Sequence, residues 1–350
     1  MIHAYDDPEH ASQGLKAARA YAAAAPAVPH ALHMPSHIFT RLGYWNESAA
    51  TNEKAWQVSE VDVKRAGESG ALRDFHALNY LQYAYLQLGR YRDAKRVTEI
   101  FARQFQQLPS KATHPDSPQL EVKHLRGRTI YALPDRVVYG YFDTLARYII
   151  ETRDWQMASE LPAAPTSRDF TAMRLQIEST ADANRGDVVA AESSAGKMDA
   201  LCHEPGQLPL GQKVLCIQSD ETRAVAAQAA GDQNRAIALM SDALGIEDSI
   251  YALSQPPYPP IPVHELYGTM LLAMDRPSEA KEQFAETLKR TPGRPKAIYG
   301  LAQAAQALGD RDTAARQYEA FLAVWKNADA DLPQLSAARR NLASAPTKAR

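Results

Sequence analysis

The feature that most limits what this chain can fold into is an internal repetition of 34 residues near its C-terminal end. Ile261 to Pro292 reads as helix, turn, helix, marked by Gly268, Leu271, Ala280, Phe284 and Pro292. Thirty-four residues on, Ala302, Ala305, Ala314, Tyr318 and Lys326 occupy the same places. The turns agree as well, Met274-Asp275-Arg276-Pro277 with Leu308-Gly309-Asp310-Arg311. Small residues let paired helices approach closely, and the aromatic fills the space against the next unit. One such unit cannot bury its apolar face alone, so stacking neighbours must supply a continuous core.

These marks resemble the tetratricopeptide repeat family, although Lys326 stands where a closing Pro is expected and Thr287 where an Ala is. The resemblance implies an all-α fold, an α-solenoid of helix-turn-helix repeats wound as a right-handed superhelix. Weaker copies lie upstream. Phe75 to Gln106 carries Leu78, Leu81, Tyr85, Gly89-Arg90-Tyr91 and Ala94. Pro29 to Glu60 carries Leu32, Ser36, Phe39, Leu42-Gly43-Tyr44-Trp45 and Ala55. Further small-residue marks at Ala158, Ala191 and Ala236 follow the turns at Arg153, Gly186 and Gly231. Their irregular spacing, 33, 45 and 44 residues up to Ala280, points to insertions between units. About six or seven helix pairs are expected from the period.

A 350-residue chain exceeds the usual single-core size. The expected division is 1–107, N-terminal repeats; 108–134, a Pro-bearing linker; 135–253, divergent repeats; 254–262, a Pro-rich connector; and 263–350, the clear repeat pair with a capping helix. The connector Ser254-Gln255-Pro256-Pro257-Tyr258-Pro259-Pro260-Ile261-Pro262 cannot be helical within its prolines. In the last segment Leu332, Leu335 and Leu342 are expected to face inward, with Arg339 and Arg340 in water.

Lys plus Arg is 39 against 41 for Asp plus Glu, a formal charge of -2, which argues against a nucleic-acid partner. No apolar run approaches a membrane span and no signal-peptide pattern opens the chain, so a cytoplasmic location is the default, which a signal in an absent N-terminal segment would reverse. The two cysteines, Cys202 and Cys216, are too few for a disulfide framework and are expected to be buried or idle thiols.

Three of the ten histidines, His30, His33 and His37, fall within eight residues, and on a helix they share an arc of roughly 60°. The period reaches back further: His3 lies 34 residues before His37, and Tyr5 the same distance before Phe39. Met1 to Asp7 then reads as the end of a first helix whose opening turns are absent, implying that the chain starts inside a repeat. Pro8 to Ala25 is expected as the partner helix, with Asp7 as its N-cap.

In the tetratricopeptide family the first helix of each pair lines a concave groove. Carried over by register, His30, His33 and His37 match Pro262, Glu265 and Thr269 on the groove side, with His3 and Asp6 from the preceding unit. The next units offer His76, Asn79 and Tyr83, then Asp143 and Arg147. Neighbouring helices lie about 8–10 Å apart, close enough for imidazoles to share an ion. Two functions stay open. One is a scaffold that takes a protein segment or small ligand in the groove, through His76, Asn79, Tyr83, Asp143 and Arg147. The other is a metal site of His3, Asp6, His30, His33 and His37 for zinc, copper or iron, in a metalloprotein or metalloenzyme. Local hydrogen bonding around the Pro35 kink is a third account of His30 and His33. The segment also resembles a His-Ala-Tyr-Asp…His-Met-Pro-Ser-His-Ile-Phe pattern in bacterial repeat proteins, which carries no assigned activity. No nucleophile elbow, phosphate loop or dinucleotide fingerprint is present.

Overall fold

Each repeat of this chain is set by a single left-handed backbone position. The computed structural model describes residues 2–108, 120–125, 128–132, 134–161, 168–205, 209–251 and 260–343. Gly43, Gly89, Arg153, Gly186, Gly231, Asp275 and Gly309 all have φ between 57° and 83°. Each closes one helix, and two residues later the next helical segment begins, at Trp45, Tyr91, Trp155, Val188, Gln233, Pro277 and Arg311. At five of them the residue after the turn donates its N–H to a carbonyl five residues back: Tyr44 to Phe39, Asp187 to Asp182, Asp232 to Ala227, Arg276 to Leu271 and Asp310 to Ala305. That bond satisfies a carbonyl at the helix end, and glycine adopts the left-handed conformation without a Cβ penalty. Asp187, Asp232 and Asp310 then cap the second helix, accepting from the N–H three residues on.

The helices in order are α1 (Ala11–Ala24), α2 (Pro29–His33), α3 (Pro35–Arg41), α4 (Trp45–Ala66), α5 (Phe75–Gln87), α6 (Tyr91–Gln106) and α7 (Pro134–Thr152). There follow α8 (Arg168–Arg185), α9 (Val188–His203), α10 (Pro209–Ala229), α11 (Gln233–Ile250), α12 (Val263–Ala273), α13 (Pro277–Arg290), α14 (Pro295–Ala307), α15 (Arg311–Val324) and α16 (Pro333–Ala343). Packing is between consecutive neighbours, as in an all-α helical repeat solenoid. The stretch expected as a linker at 108–134 includes a small antiparallel hairpin, β1 (Leu120–Leu125) with β2 (Arg128–Ala132). Residues 109–119, 126–127 and 133 of that stretch, and 254–259 of the Pro-rich connector, lie outside the described residues.

The chain divides into two compact units, Met1–Leu86 with Tyr91–Ile177, and Gln87–Arg90 with Glu178–Arg350. In the second, the 34-residue period is a packing period. Phe284 of α13 is wedged between Gly268 of α12 and Gly300 of α14; a Cβ on Gly300 would come within 2.4 Å of its ring. Ala280, Ala314 and Tyr318 are buried at the repeated positions, and α16 turns Leu335 and Ala338 inward and leaves Arg339 and Arg340 exposed.

Two local expectations are corrected. Cys202 and Cys216 are not idle thiols but a disulfide, with their Cα atoms 4.9 Å apart. One sits in the last turn of α9 and the other in α10, and the antiparallel hairpin folds them back on each other, which spacing along the chain does not reveal. The helix expected from Pro8 begins at Ala11 instead. Asp7 accepts from the N–H groups of Glu9 and His10, capping a turn ahead of the helix.

In the first unit the segment 29–41 is buried nearly all round. Met34, Ile38 and Phe39 pack with Ile2 and Ala18 on one side, while Leu32 packs with Ala55 and Ala77 on the other. A helix enclosed in this way must bury its polar residues as well, and these are His33, Ser36, His37, Thr40 and Arg41.

Candidate metal centre

Pro35 interrupts the backbone hydrogen bonding between α2 and α3 without turning the chain. Met34 keeps helical angles (φ -48°, ψ -41°), so His33 and His37 remain one turn apart on the same face. His33 Nε2 lies 3.1 Å from His37 Nε2. His76, in the first turn of α5, brings its ring to 4.6 Å from that of His33 and 6.1 Å from that of His37. One ligand nitrogen from each of the three falls within 4.8 Å of the other two.

The outer nitrogens fix the tautomers. Asn52 of α4 donates its amide N–H to the Ser48 carbonyl at 2.8 Å, which turns its Oδ1 toward His33 Nδ1 at 2.7 Å. His33 therefore carries its proton on Nδ1. His37 Nδ1 faces Asp6 Oδ2 at 2.8 Å, and a carboxylate there accepts, so His37 is likewise protonated on Nδ1. Both Nε2 lone pairs then point at each other, an arrangement that a cation between them would satisfy. Zinc–nitrogen bonds of about 2.0–2.1 Å at tetrahedral angles would separate two imidazole nitrogens by about 3.3 Å, close to what is seen here.

The surroundings keep the His33 and His76 rings neutral. Burial, followed by His76 and His37, drives His33 well below its usual pKa, against the Asn52 hydrogen bond. His76 is brought down to about 4, chiefly by lost hydration and then by His37, although one edge of it is open to solvent. Neutral imidazole is the form that ligates. Burial pushes the Asp6 carboxyl up, but the hydrogen bonds and charges of His37 and Arg41 outweigh it and leave the carboxyl below its usual range. Arg41 holds this carboxylate from behind, Nε to Oδ1 at 3.0 Å, and also donates to the Asp6 carbonyl at 3.1 Å. Asp6 thus orients His37, the usual partner of a ligating imidazole.

His3 and Asp6 join His37 in a second group, with His3 Nδ1 3.9 Å from Asp6 Oδ2 and the His3 ring edge-on to His37 at 4.8 Å. The 34-residue offset between His3 and His37 is therefore a contact in space. His30 is outside both groups. It sits in the exposed first turn of α2, with its ring 6.2 Å from that of His33.

Asn79, Tyr83, Asp143 and Arg147, expected as groove contacts, are bound to one another. Asn79 donates to Asp143 at 2.8 Å, and Arg147 pairs with Asp143 and donates to Asn79 and Gln82 at 3.1 Å. Tyr83, 3% exposed, lies under the Arg147 guanidinium.

Asn52 is brought in by the neighbouring helix α4 and carried no signal in the sequence, whereas Arg41 stands one turn after His37 on α3, a spacing that could have marked it. Tyr80 had a signal, standing one turn after His76. Its ring meets those of His33, His37 and His76 at 4.9–5.2 Å, and its hydroxyl is 3.3 Å from His37 Nδ1. No family model and no curated protein matches this chain.

Proposed function

We propose that this chain is a metal-binding helical repeat protein in which His33, His37 and His76 hold one transition-metal ion, zinc, copper or iron, all of which accept imidazole. The observation that carries the reading is the convergence of three imidazoles, two of them pinned by their outer nitrogens so that their free lone pairs face inward. A shared proton between His33 and His37 would account for two of these rings. It would leave the third, His76, without a reason to be there.

Elemental analysis of the purified protein after supplementation at neutral pH tests the reading. About one equivalent is expected, retained through gel filtration; less than about a tenth would remove the proposal, because deprotonated sites load at that pH. His33→Ala and His37→Ala should each release the metal while helical content persists.

A scaffold that takes a peptide across several helices is the other function open to a tetratricopeptide-like array. It is supported by the repeat architecture alone, and four of its expected contact residues are engaged with one another.

A further inference from the structure

We propose that this centre is open: three protein nitrogens hold the ion, and a small anion from solution takes a further coordination position on the His76 side. The inference rests on the metal reading above and deepens it.

Structural metal sites are closed by four protein donors, whereas sites that act on a ligand keep one position for it. Here the inner group contains His33, His37 and His76, and among the described residues no further His, Cys, Asp or Glu joins these three. The neighbouring donors lie elsewhere. Asp6 and the Tyr80 hydroxyl both face Nδ1 of His37, the nitrogen turned away from His33, and His3 approaches from the Asp6 side. Asn52 and Ser36 face Nδ1 of His33 in the same way. Nothing on that list reaches the point where the two Nε2 atoms meet.

Access is from one direction. His33 and His37 are buried, at 0% and 4% exposure, and the Tyr80 ring packs against all three imidazoles. His76 alone of the three is exposed, and His30 is exposed beside it. Arg136, exposed at the start of α7, acts electrostatically on His76, though more weakly than the opposing Asp74. Asp74 is the acidic group near His76, whereas Asp6 is buried and already paired with Arg41. A metal cation held by three imidazoles, none of which brings negative charge, keeps its full positive charge and so favours an anionic ligand of carboxylate or azide size.

Cobalt(II), whose visible bands report coordination, is the probe, with azide as the anion. The full chain is loaded with one equivalent of cobalt and titrated with azide. A saturable change in band position or intensity is expected, and Arg136→Ala should weaken azide several-fold while retaining cobalt. Cobalt bound with bands indifferent to azide would overturn the open position and leave the metal centre standing. No cobalt bound at all would overturn the metal centre itself. An unchanged azide affinity in Arg136→Ala would overturn the part given to that arginine.

Discussion

His33 and His37 present their Nε2 atoms to each other at 3.1 Å, while their Nδ1 atoms are held by Asn52 and Asp6 on opposite sides. The pair is organised from outside. Neither ring can rotate without breaking a buried hydrogen bond, so the two lone pairs are set before any ion arrives.

That dependence can be measured at Asn52. Asn52→Leu removes the acceptor for His33 Nδ1–H and frees the ring to flip. Metal affinity should fall by about 10–100-fold, as for other residues that orient a ligating histidine. Asn52→Asp, which still accepts, should hold affinity much closer to the parent. Competition against a chromophoric chelator reads both, and equal losses in the two variants would contradict the orienting role.

The metal-free protein should lose stability on mild acidification. The unfolded chain protonates its histidines near pH 6.5. In the folded chain His33 resists protonation well below that value and His76 until about 4. Unfolded chains therefore bind more protons across this window, and stability present above pH 6.5 is lost as the pH falls toward about 4. Urea unfolding at pH 7 and pH 5 checks it; His76→Gln should flatten the difference between them.

The Cys202–Cys216 bond closes a short hairpin between α9 and α10. Cross-linking a loop of this size stabilises by about 3 kcal/mol through the unfolded chain. Cys216→Ser, or reduction, should lower unfolding stability by about that amount. Thiol titration of the denatured, unreduced protein should find no free cysteine.

Phe284 sets the spacing of three helices through two glycines. Gly300→Ala places a methyl 2.4 Å from its ring, and overpacking of that kind costs about 1–3 kcal/mol. Phe284→Leu in the same chain should recover part of the loss, because the smaller side chain makes room. Thermal unfolding of the single and double variants reads the coupling.

The helical array could be read before any coordinates, because its causes are local. Gly43, Gly186, Gly231 and Gly309 end helices by their own backbone freedom, and Ala280, Phe284, Ala314 and Tyr318 recur at the packing period. The 34-residue offset likewise placed His3 beside His37. A hydrophobic period, however, records which face of a helix is covered and not what a polar side chain meets there. Register alone put His30 with the ligands and Arg147 in a groove. His30 stands outside the group that His33, His37 and His76 form, and a network with Asn79, Gln82 and Asp143 holds Arg147.

Repeat length, helix ends and the pairing of His33 with His37 thus belong to the amino-acid order itself, since each follows from residues within a turn or a period of one another. Which nitrogens face inward, that His76 completes the group, and that Cys202 meets Cys216 were decided only when separate helices packed against one another. Asn52 and α5 reach the centre by contacts between helices that no local pattern encodes, whereas Asp6 was already placed near His37 by the 34-residue period.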